Sequence, residues 1–121
     1  MTATVGRGAA RFANPRLDAI RTQLSQVPEK PGVYVWKDGE GETLYVGKAK
    51  ALRRRLRQYT SGHDERPKIA NMMELVASFD YFVTGNEVES LILEANLIKQ
   101  FRPPFNVGYR DDKSYPFIAL T

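Results

Sequence analysis

Residues 32–47 carry the pattern of two short strands joined by a tight turn, and no other feature of the chain constrains its fold as strongly. Apolar and polar residues alternate on both sides of Asp38-Gly39-Glu40-Gly41, a turn sequence typical of a β-hairpin. Pro28 and Pro31 stand just before this segment and end any preceding helix. The segment therefore predicts two antiparallel strands.

The alternation also predicts which side chains share a face of the hairpin, because successive side chains of a strand point to opposite sides. The residues expected on the buried face are Val33, Val35, Leu44 and Val46. Tyr34 and Tyr45 then share the other face. A two-residue loop at Gly39-Glu40 would place the two tyrosines directly across from each other, about 5.5 Å apart at Cβ.

Helical and strand patterns elsewhere complete an α+β domain. A short helix is expected after Asn14-Pro15, a second over residues 67–77, and a long one that starts at Asn86, with Glu89 placed for a capping box, and ends before Pro103-Pro104. Residues 79–83 and 115–120 are expected to be strands. We predict a central, mostly antiparallel sheet that starts with the hairpin and is flanked by helices. Residues 1–15 are expected to be a flexible extension and residues 16–121 the domain.

Residues 48–59 contain no glycine or proline and predict a basic helix. Six of the 18 Lys and Arg residues fall within positions 48–57, and no acid interrupts them. At 100° per residue, Lys48, Arg55 and Tyr59 fall within about 20° of one line, so Arg55 is distinguished by geometry from the other arginines. These other basic residues form either a solvated helix face or a contact to nucleic acid phosphates. If they contact nucleic acid, the residues that would do so are Lys48, Lys50, Arg53, Arg54 and Arg57.

The composition limits the possible partners and environment. A formal net charge of +4 favours an anionic partner, such as nucleic acid or an acidic membrane surface. No apolar run approaches the roughly 18 residues needed to span a bilayer, so no membrane span is expected. The absence of cysteine excludes disulfides and thiolate metal sites and fits a cytoplasmic location.

Glu94 is the carboxylate in the most apolar setting of the sequence. Between Leu91 and Ile98 the only polar side chains are Glu94 and Asn96. An unpaired buried charge is costly, so this carboxylate is expected to be neutralised, paired with a base or bound to a cation. The alternative is a residue on the rim of an amphipathic helix that reaches water or pairs with Lys99.

Other polar residues are less informative. His63 is expected to be an exposed loop residue, Asp111 and Asp112 turn residues, and Asn106 either a turn residue or a polar group of a site. A simpler interpretation of Tyr34 and Tyr45 is that their rings pack against each other across the two strands.

Two tripeptides carry a resemblance to a known family. Gly32-Val33-Tyr34 and Tyr45-Val46-Gly47 resemble the paired motif of the GIY-YIG nucleases, with valine at each isoleucine position. A longer set of segments resembles the amino-terminal domain of the UvrC family, which makes incisions in bacterial nucleotide excision repair. These segments are Pro31-Gly32-Val33-Tyr34, Leu44-Tyr45-Val46-Gly47-Lys48-Ala49-Lys50, residues 89–99, Arg102-Pro103-Pro104-Phe105-Asn106 and Asp111-Asp112-Lys113-Ser114-Tyr115-Pro116.

The resemblance implies an active site and a metal. Tyr34 and Tyr45 would belong to the site, Glu94 would bind Mg²⁺ or Mn²⁺, and the phosphate would be lined by Lys48, Arg55 and Tyr59, with Asn106 completing the site. Hydrolysis would then use Arg55 to stabilise charge on the phosphate and Tyr45 as the base, with Tyr34 as the alternative base. Lys48, three positions beyond Tyr45, is the candidate cation for stabilising the phenolate of Tyr45.

The implied substrate is damaged double-stranded DNA, and the implied reaction is the incision on the 3′ side of a lesion. UvrB would be the direct partner, UvrA would act before it, and the isolated domain would be a monomer and part of a longer protein. Two alternatives stay open. One is another structure-specific or homing nuclease of the GIY-YIG class, and the other is a DNA-binding or protein-docking module without catalysis.

Overall fold

The computed structural model of the chain describes residues 16–61 and 66–108. Several expectations lie outside these residues: the extension 1–15 with Asn14-Pro15, His63, the pair Asp111 and Asp112, and the strand 115–120. The helices of the described part are α1 (Leu17–Leu24), α2 (Leu52–Thr60), α3 (Pro67–Met73) and α4 (Glu87–Phe101). The strands are β1 (Gly32–Asp38), β2 (Thr43–Ala49) and β3 (Val76–Val83), and one π-helical turn, Pro104–Gly108, follows α4.

The predicted hairpin is confirmed, since β1 and β2 pair antiparallel. The carboxylate of Asp38 holds the turn, accepting hydrogen bonds from the backbone N–H of Glu40 at 2.9 Å and of Glu42 at 3.0 Å. Gly41 has φ +84°, a left-handed conformation that glycine adopts without steric cost. The turn chemistry of the sequence therefore determines where the chain reverses.

The predicted register of the hairpin is wrong by two residues. Tyr34 lies opposite Gly47, and Trp36 lies opposite Tyr45, so the two tyrosines share a face but sit diagonally. The register shifts after Trp36, and Leu44 is the extra residue at this bulge. Leu44 consequently packs in the opposite core cluster from Val46, although the alternation placed them together.

The third strand lies on the other side of β1, which gives the sheet order β2-β1-β3 with antiparallel pairing throughout. The predicted helix over residues 67–77 is wrong at its end, because α3 stops at Met73 and β3 begins at Val76. Val76 is fully buried and pairs with Asp38 of β1. Pairing and burial in the sheet outweigh the local helical pattern here.

Both faces of the sheet are covered, and the face that carries the tyrosines is as deeply buried as the valine face. One face carries Tyr34 and Trp36 and packs against α1, α2 and α3, in the larger core cluster. The other face carries Val33, Val35 and Val46, which pack against Leu93, Leu97 and Ile98 of α4. The α+β class with a central antiparallel sheet between helices is confirmed.

The basic helix starts later than the sequence pattern predicts. Lys48 belongs to β2, and α2 begins at Leu52. Its N-terminus has no side-chain cap from Ala51, but the Glu29 carboxylate accepts a hydrogen bond from the backbone N–H of Arg54 at 3.0 Å. A carboxylate at this end favours the helix through the exposed N–H groups and the helix dipole.

Helix α4 has the predicted ends. The Asn86 side chain accepts from the backbone N–H of Glu89 at 2.9 Å, and the Glu89 carboxylate accepts from the backbone N–H of Gly85 at 2.7 Å. Arg102 then ends the helix in a left-handed conformation just before the two prolines. Within the described residues, no helix has the length and apolar character needed to cross a membrane.

Candidate active site

Three tyrosines from three elements meet on the sheet face that packs against α2. Tyr34 of β1 lies 5.5 Å from Tyr59 of α2 and 6.3 Å from Tyr45 of β2, measured between ring centroids. The hydroxyl groups of Tyr34 and Tyr59 share a hydrogen bond of 2.7 Å. Only 1% of Tyr34 and 3% of Tyr59 is exposed, whereas Tyr45 is partly open to solvent.

The two motif glycines allow neighbouring groups to approach the strands closely, and one of them makes room for Tyr34. A Cβ at Gly47 would collide with the ring and hydroxyl of Tyr34, which lies across that position from the neighbouring strand. A Cβ at Gly32 would collide with the backbone carbonyl of Phe82 and with Leu52. These glycines are thus required by close approach rather than by an unusual φ.

Arg55 joins the cluster from α2. Its guanidinium lies 5.7 Å from the ring centroid of Tyr59 and close enough to the Tyr34 hydroxyl to interact with it electrostatically. It donates a hydrogen bond to the side-chain carbonyl of Gln58 at 3.0 Å. The prediction that Arg55 shares a stripe with Tyr59 is confirmed, although the stripe begins at Leu52 and excludes Lys48.

The electrostatics keep the two buried tyrosines neutral. Burial raises the pKa of Tyr34, an effect that outweighs the hydrogen bond with Tyr59 and the interaction with Arg55. Burial likewise raises the pKa of Tyr59, and the neighbouring tyrosines raise it further. Burial by itself lowers the pKa of Arg55, but the interactions with Tyr34 and Tyr59 outweigh it and leave that pKa raised. Arg55 is therefore a permanent cation beside two protonated phenols.

Lys48 does not approach Tyr45 in the predicted way. It lies opposite Val33, on the sheet face covered by α4, whereas Tyr45 is on the tyrosine face. The exposed Lys48 instead lines two clefts at the end of β2. One, of about 290 Å³, also includes Lys50, Arg54 and Arg55, and the other, of about 350 Å³, lies against Glu87 and Leu91 of α4.

The cation that lies against Tyr45 is Lys68 of α3, which sequence reasoning missed. Its ammonium is 5.1 Å from the centroid of the Tyr45 ring. No spacing along the chain links residues 45 and 68, because they belong to elements separated by α2. Only the packing of α3 beside the sheet brings them together.

Glu94 is less buried than predicted. It is partly exposed, and neighbouring apolar residues of α4 face outward, with Leu91 53% and Ile92 56% exposed. Glu94 lies one helical turn from the buried Ser90 and one turn from Ile98, at the border of the surface that packs on the sheet. Within the described residues it makes no hydrogen bond or ion pair, so of the two forms of the rim alternative the structure has the one in which Glu94 reaches solvent and not the one in which it pairs with Lys99.

Asn106 binds the edge of the sheet. Its side-chain carbonyl accepts from the backbone N–H of Val46 at 2.8 Å, and its amide donates to the Val46 carbonyl at 3.0 Å. The side chain thereby acts like one residue of a neighbouring strand next to Tyr45. The sequence allowed Asn106 to be either a turn residue or a polar group of a site. A structural role on the π-helical turn accounts for both hydrogen bonds of its side chain.

The remaining basic residues differ in their surroundings. Arg54 and Arg57 are exposed on α2, and Lys50 is exposed beyond the end of β2. Arg53 is partly buried, and its Nε lies 3.8 Å from the Glu29 carboxylate. Among the five residues expected to contact DNA, Arg53 is therefore the one held by an acid of the domain.

Comparison with solved structures identifies the class of this fold. The GIY-YIG N-terminal endonuclease domain of UvrC from Thermotoga maritima, bound to magnesium as its catalytic divalent cation, matches this chain with a TM-score of 0.67 and 42% sequence identity. The match covers 74% of this chain and 98% of that one. The antiparallel sheet with its tyrosine cluster is thus a GIY-YIG nuclease domain.

Sequence relatives define the family more closely. The model of the UvrC-like GIY-YIG domain matches residues 30–107. UvrABC system protein C of Syntrophomonas wolfei is 49% identical over 105 residues, which are 86% of this chain and 18% of that protein. For Moorella thermoacetica the identity is 50% over 102 residues, covering 84% and 16%. The chain belongs to the UvrC-like GIY-YIG family, and it spans about a sixth of the length of these curated relatives.

Proposed function

We propose that this domain hydrolyses a phosphodiester bond in damaged double-stranded DNA, as the 3′ incision nuclease of nucleotide excision repair. The observation that carries the proposal is the cluster of three tyrosines, two of which, Tyr34 and Tyr59, interact with Arg55. Arg55 also lines a cleft together with Lys48, Lys50 and Arg54. A guanidinium among neutral hydroxyl groups suits a phosphate, because it offers donors in a planar fork and keeps its charge.

Glu94 of α4, the helix that packs on the sheet face opposite the tyrosine cluster, fits a divalent cation. It is partly exposed and lacks a hydrogen bond or ion pair within the described part of the chain. That part has no group of three or more His, Cys, Asp or Glu side chains suited to a metal. A single carboxylate suffices for Mg²⁺, which keeps several waters and takes phosphate oxygens as ligands, and Mn²⁺ accepts the same donors. When bound, such an ion stabilises negative charge on the leaving oxygen.

Tyr45 is the better candidate for the base that takes a proton from the attacking water. Water can reach its partly exposed ring, whereas Tyr34 is 1% exposed and its oxygen is occupied by Tyr59 and Arg55. Burial raises the pKa of Tyr34, which opposes the loss of its proton. In this proposal Tyr34 and Tyr59 orient Arg55, and Arg55 stabilises the charge that develops on the phosphate.

A basic surface supports a path for the DNA backbone. Lys48 and Lys50 lie at the end of β2, and Arg54 and Arg57 extend the same basic surface along α2. Within the described residues none of these four side chains forms an ion pair, so their charges are available to phosphates. UvrB is the proposed direct partner, because the relatives are named as components of the UvrABC system.

Replacing Glu94 with Gln tests the proposal, because the change keeps the shape and removes the charge that would hold the metal. With UvrB, Mg²⁺ and a lesion-bearing duplex, we expect 3′ incision to fall by several orders of magnitude. DNA binding should stay near that of the wild type. The melting temperature should not fall, since the carboxylate has no partner in the described structure to lose.

Glu87→Gln is the matched control, because Glu87 is an exposed carboxylate on the same helix. We expect this variant to retain incision within about threefold, as a surface substitution that removes only a helix-end charge. Near-normal incision by Glu94→Gln would remove Glu94 from the metal site. An absence of Mg²⁺-dependent cutting by the wild type under these conditions would favour a binding module without catalysis.

A further inference from the structure

The Tyr45 ring contacts a lysine of α3, a helix that contains neither of the two motif tripeptides. The Lys68 ammonium lies 5.1 Å from the centroid of the Tyr45 ring, the geometry of a cation–π contact. Lys68 is the second residue of α3, and buried side chains of the same helix, Ile69 and Met72, anchor it in the core cluster shared with Tyr34. The contact is therefore supported by the packing of a whole element.

The other groups around Tyr45 do not supply this charge. Tyr34 of β1 and Tyr59 of α2 face its ring, and burial raises the pKa of both, so they remain neutral. Arg55 is committed to Tyr34 and Tyr59, and Lys48 extends from the opposite face of the sheet. In the described part of the chain, Lys68 is the cation that lies over Tyr45.

We propose that Lys68 is a positioning residue of the site, whose ammonium holds the Tyr45 ring in place and stabilises negative charge on its hydroxyl oxygen. A cation against the ring favours the phenolate over the neutral phenol. Lys68 thus fulfils the role that sequence spacing suggested for Lys48. The inference rests on the proposed function only insofar as Tyr45 takes a proton during hydrolysis.

The first test measures the ionisation of Tyr45 directly, without DNA or metal. In the chain labelled with ¹³C at the tyrosine ζ carbons, the Tyr45 signal is assigned with Tyr45→Phe and followed by NMR from pH 7 to 12. Lys68→Met keeps most of the side-chain length and removes the charge, so we expect the ionisation midpoint to rise. Lys68→Arg should restore it, and Lys99→Met, which removes a distant exposed lysine of α4, should leave it unchanged.

The second test separates positioning from direct phosphate binding. In the incision assay with UvrB, Lys68→Met should lower kcat at pH 7 by about tenfold, because a base that is misplaced and less readily ionised slows the proton transfer. KM should stay within about twofold, and Lys68→Arg should recover kcat. Lys68→Gln, measured in the same way, provides a second uncharged variant should Lys68→Met fail to fold.

An unchanged Tyr45 midpoint in a folded, uncharged variant would overturn the inference. A rise in KM with unchanged kcat would also overturn it, because Lys68 would then be a phosphate ligand. Failure of the proposed function is distinguishable from both results: the midpoint would shift as expected while the wild type does not cut DNA.

Discussion

Arg55 shows how one position in a run of arginines acquires a separate role. It lies one turn from Tyr59 on the side of α2 that packs on the sheet, and it is partly buried. Arg54 and Arg57 lie at other angles around the helix and are exposed. Identical side chains therefore differ in their surroundings because helix geometry presents one of them to the tyrosines.

Replacement of Arg55 by Gln should reduce 3′ incision by about 100-fold or more, as expected for loss of a donor that stabilises transition-state charge. Arg54→Gln and Arg57→Gln are the matched controls and should change incision by less than about threefold, because each removes one backbone contact. Single-turnover rates with saturating protein separate this effect from DNA binding, which should weaken similarly in all three variants. Equal rate losses in the three variants would show that the position of Arg55 on the helix gives it no separate role in incision.

The second motif tripeptide illustrates the same dependence on neighbours. Gly47 is conformationally ordinary, yet the ring of Tyr34 occupies the space that its side chain would need. The hydroxyl of Tyr34 in turn meets Tyr59 and Arg55. A glycine on one strand thus determines the position of a phenol on the next.

At the scale of elements, the edge of β2 is completed by a side chain rather than a strand. Both backbone groups of Val46 that point outward from the sheet are bonded by Asn106. Exposed backbone groups at a sheet edge otherwise attract other strands or remain bonded to water. The π-helical turn after α4 therefore stabilises the strand that carries Tyr45.

Asn106→Ala should lower the free energy of unfolding by about 1–3 kcal/mol, because it leaves the Val46 groups without partners. Amide hydrogen exchange at Val46 should accelerate, while that of Val35 in the centre of the sheet should change only with global stability. Asn96→Ala, on the exposed side of α4, is the control and should have little effect. Unchanged protection of the Val46 amide would contradict a structural role for Asn106.

Helix α4 demonstrates that apolar sequence does not ensure burial. Leu93, Leu97 and Ile98 pack on the small valine cluster of the sheet, and this contact uses only one side of the helix. Val88, Leu91 and Ile92 remain exposed. Glu94 lies at the border between these surfaces, which is why it is partly exposed rather than enclosed.

At the scale of the whole molecule, the distribution of the basic residues is more informative than the net charge of +4 itself. The basic residues Lys48, Lys50, Arg54 and Arg57 line clefts at one end of the sheet. Arg53, which belongs to the same sequence run, is instead near Glu29. The surface offers a small number of phosphate contacts beside the tyrosine cluster.

Binding of the chain to duplex DNA should accordingly be weak and dependent on salt. Four phosphate contacts, each contributing about −0.9, predict a slope of about −3 to −4 in a plot of log K against log salt concentration. Arg54→Ala should make the slope less negative by about one, whereas Lys99→Ala should leave it unchanged. Fluorescence anisotropy between 25 and roughly 200 mM salt measures both. A slope near zero would show that this edge is not the main electrostatic contact.

The sequence by itself determined the α+β class, the hairpin and both ends of α4. These features depend on local chemistry: the Asp38 turn, the Asn86 cap and the two prolines after α4. The assignment of residues 16–121 as the domain stays a prediction, as do the catalytic roles.

Only the tertiary structure decided the hairpin register, the start of β3, the exposure of Glu94 and the cation over Tyr45. Each depends on contacts between residues far apart in sequence: a bulge at Leu44, the pairing of Val76 with Asp38, the narrow contact of α4 with the sheet, and the packing of α3 beside Tyr45. The periodicity of the sequence indicates which face of a helix or strand is apolar. The packing of the other elements determines which face is buried and which charged side chain lies next to it.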